Sequence, residues 1–243
     1  MSSLYFNPDL EPAAGIGATA SILGPEARHA VTVGRARVGE QLSIGNGSGL
    51  VVTGSVVTTT PAELTIEIDA VSLEPLPSPA LVLVQALAKG DRDELAVQAA
   101  TELGVDAVVP WSAGRSVSRW EGAKVAKGEE RWRAIVREAA KQSVRAWVPE
   151  VGPLTSTKQL ASFAQTSRVI VLDPLAETPL SALIPDDRDI MLVVGPEGGI
   201  APSEFEALTR AGAERAKLGD SILRTSTAGP AAIAVLSAKL GRW

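Results

Sequence analysis

The stretch Asp189-Ile190-Met191-Leu192-Val193-Val194-Gly195-Pro196-Glu197-Gly198-Gly199-Ile200 carries five consecutive apolar residues that run directly into a glycine-rich turn. Such a run predicts a strand that is buried on both faces of a sheet and ends abruptly. Pro202 suits the first position of a helix that follows. Ligands of open α/β sheets bind just past the carboxyl ends of the strands, and glycines there let a ligand approach the backbone closely. The pattern alone is equally compatible with a tight turn that binds nothing.

A second stretch, residues 217–229, reads Lys-Leu-Gly-Asp-Ser-Ile-Leu-Arg-Thr-Ser-Thr-Ala-Gly and predicts another strand end, a loop and a helix start. Leu172-Asp173-Pro174 predicts a third loop of this kind. The chain has neither a Gly-x-Gly-x-x-Gly turn after a strand nor a P-loop, which disfavours NAD and ATP. The loops also lack a lysine that would meet phosphates. A nucleotide-like ligand without phosphate fits them best.

Outward from these loops, strands and helices alternate from about residue 80 to the end of the chain, which predicts an α/β domain with a parallel sheet covered on both faces. The expected strands are 81–87, 105–109, 168–172, 190–194 and 213–218. The expected helices are 93–103, 130–147, 157–165, 202–211 and 228–240.

The first 73 residues have a different character, because short β-rich runs at 42–44, 50–57 and 64–68 are joined by turn signals. Asn46-Gly47 between the first two runs is typical of a hairpin. Several short strands in so few residues predict a small β-barrel. Residues 74–79 contain three prolines and predict a semi-rigid linker.

Composition excludes several kinds of chemistry in this chain of 243 residues. It has no cysteine and one histidine, so we expect no disulfide, no metal site, no cysteine nucleophile and no Ser-His-Asp triad. No signal peptide is apparent at the N-terminus, and no apolar run is long enough to span a bilayer. A cytoplasmic protein without membrane contact is expected.

The charge distribution is more informative than the net charge of −5. Residues 115–145 carry nine Lys or Arg against four acidic residues, a local net charge of +5, so the rest of the chain carries −10. In the predicted helix 130–147, four cations recur at i, i+4 spacing, which is mildly unfavourable unless something anionic meets them. They are Arg133, Arg137, Lys141 and Arg145. A localised contact with a phosphate backbone is compatible with this pattern, and so is a solvated face.

Four ordered motifs together resemble the RsmE family of 16S rRNA uridine-N3 methyltransferases, which belong to the SPOUT class. The first is Lys89-Gly90-Asp91-Arg92, followed by Thr-Glu-Leu-Gly-Val at 101–105. The second is Glu-Ala-Ala-x-Gln-Ser-x-Arg at 138–145. The third and fourth are the glycine-rich turn after Val194 and the Leu-Gly-x-x-Ile-Leu-Arg-Thr-x-Thr-Ala stretch that begins at Leu218.

The resemblance implies a PUA-like RNA-binding barrel at 1–73, the linker at 74–79 and a SPOUT methyltransferase domain with a trefoil knot at 80–243. It implies S-adenosylmethionine as cofactor, 16S rRNA of the small ribosomal subunit as partner and a homodimer. The implied cofactor-binding residues are Leu172, Asp173, Pro174, Val194, Gly195, Pro196, Glu197, Gly198, Gly199, Ile200, Leu218, Gly219, Ile222, Leu223, Arg224 and Thr225. The expected RNA contacts are Arg28, His29, Arg35, Arg37, Lys89, Arg92, Arg137, Lys141, Gln142 and Arg145.

Methylation at N3 of uracil requires loss of a proton and stabilisation of negative charge on the ring. We expect Arg224 to supply that stabilisation, since a guanidinium can hold an anionic ring edge through two parallel bonds. Glu197 is expected to orient the substrate or to accept a proton, and capping the loop or pairing with a basic residue is an equal alternative. Where many relatives carry Lys, Arg and Glu, this chain has Ala99, Ser221 and Ser226, so these positions cannot supply an essential catalytic side chain.

Two other functions stay open at this point. A SPOUT ribose 2′-O-methyltransferase would use the same cofactor loops, although the barrel and the loop pair favour the base-N3 family. A non-catalytic RNA-binding factor for ribosome assembly would keep the fold without the chemistry.

Overall fold

The computed structural model describes residues 3–243 and divides the chain into two compact units. The first unit comprises residues up to Leu76 together with Ala140–Val148, and the second comprises Pro77–Ala139 and Pro149–Trp243. The division differs from the predicted boundaries because a short internal segment, 140–148, belongs with the N-terminal residues.

A five-stranded curled sheet forms the first unit, as expected for a small barrel. The strands follow the order β1-β3-β4-β5-β2, and all pairs are antiparallel except β1 with β3. Their bounds are β1 Leu4–Phe6, β2 Thr19–Leu23, β3 Gln41–Gly45, β4 Leu50–Thr59 and β5 Glu63–Leu73. After β2, the short helix α1 (Gly24–Arg28) runs into a π-helical turn, His29–Val33. The alternating residues of β4 and β5 that point inward, among them Val52, Val56 and Ile66, make the core.

Segment 140–148 joins the first unit because the long helix before it ends at Gln142 rather than at Trp147, as the sequence had predicted. Val144 then adopts a positive φ of 56°, which turns the chain out of the helix. Ala140 packs with Leu4 and Phe6 in a small apolar cluster, and the Trp147 indole donates to the Glu74 carbonyl at 3.1 Å. These tertiary contacts override the helical pattern of the sequence.

The second unit contains a seven-stranded sheet in which every pair is parallel. The order is β12-β10-β11-β6-β7-β8, with β9 also pairing with β7. The strand bounds are β6 Leu81–Ala86, β7 Ala107–Ser112, β8 Glu150–Val151, β9 Thr155–Ser156, β10 Arg168–Leu172, β11 Ile190–Val194 and β12 Glu214–Ala216. The helices are α2 Arg92–Glu102, α3 Ala123–Gln142, α4 Thr157–Phe163, α5 Pro202–Arg210 and α6 Thr225–Lys239.

The expected bounds of β10 and β11 are confirmed, and the other elements of the sheet domain lie within a few residues of expectation except at α3 and α6. Helix α3 begins at Ala123, seven residues before the predicted start. Helix α6 begins at Thr225 rather than at Ala228, because the Thr225 side chain bonds to Gly195 and Gln85.

The C-terminal segment threads past the earlier loops of the sheet. The Lys217 N–H donates to the Thr178 carbonyl at 2.9 Å, and the Lys217 carbonyl accepts from the Leu180 N–H at 2.7 Å. A few residues later, the Thr225 hydroxyl donates to the Gly195 carbonyl at 2.8 Å. This threading is the predicted trefoil knot of the SPOUT fold. In residues 3–243, no helix is both long enough and apolar enough to cross a membrane.

Candidate functional site

A cavity of about 690 Å³ opens at the carboxyl ends of β10, β11 and β12. Three loops build its walls: residues 172–175 after β10, 194–200 after β11 and 218–225 after β12. These strands are neighbours in the sheet, so their loops converge at one edge. The largest cavity therefore lies where the two glycine-rich stretches of the sequence predicted a ligand.

Every residue of the predicted cofactor-binding set lines this cavity except Gly198. A Cβ atom built on Gly198 would instead lie 3.3 Å from the Cβ and the carbonyl oxygen of Arg115, so the glycine allows loop-to-loop contact. The residues that complete the lining but were absent from the predicted set are Arg92, Leu175, Phe205, Ser221 and Ala228. Arg92 had been predicted as an RNA contact. Phe205 and Ala228 lie on helices, where the sequence carried no sign of their role.

Glycines shape the loop after β11 in two ways. A Cβ atom on Gly195 would lie 2.7 Å from Cγ1 of Ile200, so only glycine permits the close turn that brings Ile200 back over the loop. Gly199 has a φ of +71°, a left-handed conformation that glycine adopts without cost. The loop is therefore fixed by its backbone and leaves the cavity wall free of large side chains.

Asp173 lines the cavity, but its carboxylate is already engaged. It is 3% exposed and forms an ion pair with Arg215, whose guanidinium lies 5.1 Å from the centre of the Phe205 ring. The other carboxylate oxygen accepts from the Leu175 N–H at 2.9 Å. Asp173 thus holds the loop after β10 in place.

Arg224 is an exposed residue on the cavity wall, immediately before helix α6. Its carbonyl accepts the first hydrogen bonds of the helix, from the Thr227 and Ala228 N–H groups at 2.9 Å. Among residues 3–243, the guanidinium has no hydrogen-bond or ion-pair partner. Its donors are therefore available to a ligand.

Glu197 lines the same cavity and is paired with a cation. Its Oε1 accepts from Nη1 of Arg92 at 2.9 Å and from the Lys89 N–H at 3.0 Å. Partial burial acts to raise the pKa of this carboxyl, but hydrogen bonds from the backbone and from Arg92 outweigh it and hold the pKa below its usual value. The geometry is that of the pairing alternative foreseen from the sequence.

Of the four cations predicted to form one helical stripe, only Arg133 and Arg137 lie well inside α3 as expected. Lys141 is 7% exposed, and its ammonium pairs with Glu26 at 3.2 Å. Arg145 follows the end of the helix. The predicted stripe is therefore not a single basic face, and burial takes Lys141 out of contact with solvent. Gln142, the last helical residue, is exposed.

The remaining predicted RNA contacts lie in two places. In the first unit, Arg28, Arg35 and Arg37 are exposed around the π-helical turn, and Arg35 has a positive φ of 55°. His29 is half-buried, with its ring edge-on to Tyr5 at 6.1 Å between centroids. In the second unit, Lys89 and Arg92 are exposed beside the cavity.

No group of three or more His, Cys, Asp or Glu side chains that could hold a metal ion occurs among the described residues. Gln85 is a polar side chain near the cavity that the sequence reasoning missed. It is wholly buried in β6 and donates to the Thr225 hydroxyl at 2.8 Å. A lone amide in an otherwise apolar strand was the only sign of it.

Comparisons with known proteins identify the family. Residues 74–237 match the RNA methyltransferase domain family. The ribosomal RNA small subunit methyltransferase E of Mycobacterium bovis is 41% identical over 100% of this chain and 94% of its own length, and that of Bacillus subtilis is 32% identical over 90% of each. A crystal structure of the Neisseria gonorrhoeae enzyme of this name, bound to S-adenosyl methionine, has a TM-score of 0.87 at 28% identity and covers 98% of both chains. The chain belongs to the ribosomal RNA small subunit methyltransferase E family, as its motifs had predicted.

Proposed function

We propose that this protein binds S-adenosylmethionine in the three-loop cavity and methylates N3 of a uridine in 16S rRNA of the small ribosomal subunit. The observation that carries the proposal is the convergence of the loops after β10, β11 and β12 on one cavity. Those loops contain the motifs on which membership of the family rests. S-adenosylmethionine-dependent methylation of ribosomal RNA is the activity that the relatives support.

The walls of the cavity fit such a cofactor. Its volume of about 690 Å³ is in the range of small-molecule sites, and its lining is largely apolar with exposed backbone at Gly195, Gly199 and Gly219. The two arginines on its wall, Arg92 and Arg224, serve other parts of the site: Arg92 is paired with Glu197, and Arg224 lies next to the start of α6. When bound, S-adenosylmethionine supplies an electrophilic methyl group on a sulfonium.

Arg224 stabilises the anionic ring edge of the substrate in this proposal. A guanidinium has donors in a planar fork, so it can hold two adjacent acceptors and keeps its charge throughout. Its free donors and its place on the cavity wall support the role. Glu197 orients Arg92 and the Lys89 backbone at the same wall, and its lowered pKa makes it a weak proton acceptor at neutral pH.

RNA is bound by phosphate contacts from the exposed arginines of the first unit, Arg28, Arg35 and Arg37, with His29 beside them. Lys89 and Arg92 extend the contact at the cavity, and Arg137, Gln142 and Arg145 stay predicted contacts. Lys141 is left out because its ammonium is buried against Glu26. Phosphate contacts fix the position of the RNA, and other groups select the base.

A homodimer is part of the proposal. Apolar side chains are exposed at the cavity loops and the nearby turn: Leu175 by 85%, Ile222 by 82% and Ile184 by 82%. An exposed apolar group of this kind marks an association surface. Sedimentation of the wild type and of Ile222→Glu tests it: dissociation of the variant at concentrations where the wild type is a dimer supports this surface. The cytoplasmic location stays a prediction from the sequence.

The decisive experiment incubates the protein with labelled S-adenosylmethionine and small ribosomal subunits that lack the modification, followed by nucleoside mapping. Label in 3-methyluridine supports the proposal. Label in a 2′-O-methyl nucleoside would establish the ribose methyltransferase alternative. Absence of both transfer and cofactor binding by calorimetry would leave the non-catalytic assembly factor.

A further inference from the structure

Gln85 is a wholly buried amide in a strand that otherwise reads Leu-Val-Leu-Val-Ala. Burying an amide is unfavourable unless its donors and acceptor are matched by hydrogen bonds. Its Nε2 donates to the Thr225 hydroxyl at 2.8 Å and to the Ala86 carbonyl at 3.1 Å. Its Oε1 finds no partner among the described residues. The amide therefore uses its NH₂ end and leaves its oxygen unmatched.

The direction of this hydrogen-bond chain follows from chemistry, although hydrogens are not seen. The Ala86 carbonyl can only accept, so the NH₂ end of Gln85 must face it and, with it, Thr225. The Gly195 carbonyl can also only accept, so the single hydroxyl proton of Thr225 is committed to it at 2.8 Å. Thr225 must then receive its other bond from a donor, and Gln85 supplies it.

This relay joins two loops of the cavity from below. Gly195 begins the loop after β11, and Thr225 is the first residue of α6, directly after Arg224. Both residues line the cavity, whereas Gln85 does not. Thr225 is 6% exposed, so water does not replace a lost partner easily.

We propose that Gln85 is a positioning residue for the methyltransferase site. Through the Thr225 hydroxyl it fixes the Gly195 carbonyl and the start of α6, and so holds the second and third loops, with Arg224, in one arrangement. The inference rests on the proposed function, because it assigns the relay to the site for S-adenosylmethionine.

Four variants separate the relay from general packing. Gln85→Met and Thr225→Val keep the approximate shape and remove the bonds, and we expect each to weaken cofactor binding roughly ten-fold. Their double variant should be little worse than either alone, since both break one chain of bonds. Thr225→Ser keeps the hydroxyl and should retain most of the affinity. Thr101→Val is the matched control: Thr101 is a buried threonine of α2, bonded to the Val97 carbonyl at 2.8 Å and absent from the cavity lining.

Gln85→Glu gives a readout that a purely structural role would not produce. An ionised carboxylate can only accept, so it competes with the Gly195 carbonyl for the one Thr225 proton. A protonated carboxyl regains one donor, and burial favours that form. We expect the cofactor affinity of this variant, relative to wild type at each pH, to rise as pH falls from 8 to 6. A ratio that does not change with pH, in a variant with wild-type circular dichroism, overturns the inference.

Amide hydrogen exchange without cofactor tests the relay independently of the proposed function. Faster exchange at residues 195–200 and 218–225 in both Gln85→Met and Thr225→Val, but not in Thr225→Ser or Thr101→Val, supports it. Unchanged exchange there overturns it, and so does an affinity loss in Thr101→Val equal to that of Thr225→Val. If wild type fails to bind S-adenosylmethionine, the proposed function fails while the exchange result still judges the relay. Should Gln85→Glu not fold, the Thr225→Val and Thr225→Ser pair decides.

Discussion

Oε1 of Glu197 lies 2.9 Å from Nη1 of Arg92 on the wall of the cavity, and the same oxygen accepts from the Lys89 N–H. The pair joins the loop after β11 to the segment that precedes α2. It brings the Lys-Gly-Asp-Arg motif of the sequence into the same site as the Gly-Pro-Glu-Gly-Gly motif. Two stretches about a hundred residues apart in the chain therefore serve one cavity, and the glutamate links them.

The pairing predicts how Glu197 behaves with pH. A carboxyl whose pKa is lowered by folding stays ionised at and above its usual value of about 4.3, and its contribution is lost only as pH falls through the lowered value. Glu197 therefore does not titrate between pH 6 and 9. Glu197→Gln should lower turnover by less than about ten-fold and leave the shape of the pH–rate profile unchanged. If the substitution removes an ionisation from that profile, Glu197 is the general base after all.

Arg224 is expected to act in turnover rather than in cofactor binding. Arg224→Met should reduce methyl transfer by about a hundred- to a thousand-fold, because a preorganised charge next to the developing anion is lost. Calorimetry should find nearly unchanged affinity for S-adenosylmethionine. Arg210→Met, at the exposed end of α5 and outside the cavity lining, is the control and should retain full turnover. Equal activity in the two variants would remove Arg224 from the mechanism.

Filling the cavity should block the cofactor. Ala228 lies on α6 with its side chain on the cavity wall, so Ala228→Phe places a ring in that space without altering the loops. We expect calorimetric affinity for S-adenosylmethionine to fall by at least about ten-fold while the thermal midpoint changes little. Ala134→Phe adds the same ring at an exposed position of α3 and should bind normally. Normal binding by both variants would place the cofactor elsewhere.

The sequence predicted the cofactor loops well because their signals are local. An apolar run such as 190–194 ends where glycines begin, and a strand buried on both faces has no other pattern. The end of α3 could not be read in the same way, since residues 143–147 continue a helical period. Their fate depends on contacts with residues distant in the chain, such as Glu74 for Trp147. The role of Gln85 was hidden for the same reason, because its partner Thr225 is 140 residues away.

The exposed arginines of the first unit give a prediction for RNA binding. Replacing Arg35 and Arg37 together by alanine should weaken binding to 16S rRNA fragments of any sequence and lower the slope of log K against log salt by about two, close to one per phosphate contact. Affinity for S-adenosylmethionine should not change. Retention of both the RNA affinity and the salt slope would show that this edge of the barrel does not meet the RNA.

Lys141 was predicted to contact phosphate, and its position in the structure leads to a different expectation. Its ammonium is buried beside the Glu26 carboxylate at 3.2 Å, with side-chain exposures of 5% and 17%. Removing one partner of a buried pair leaves the other charge without compensation, whereas removing both does not. Lys141→Met should therefore lower the stability of the first unit by about 3 kcal/mol. Glu26→Leu with Lys141→Met should recover much of that loss.

Hydrogen exchange at amides of β3 and β4 measures this local stability without assuming that the two units unfold together. Arg133→Met is the control from the same helix. Its guanidinium pairs with Glu129 and Glu130 at 3.4 Å while 47% exposed, so its loss should cost less than about 1 kcal/mol. The salt slope of RNA binding should be the same for Lys141→Met as for wild type under conditions where both are folded. A slope reduced by about one, with unchanged exchange protection, would restore Lys141 as a phosphate contact and reject the buried pair as its role.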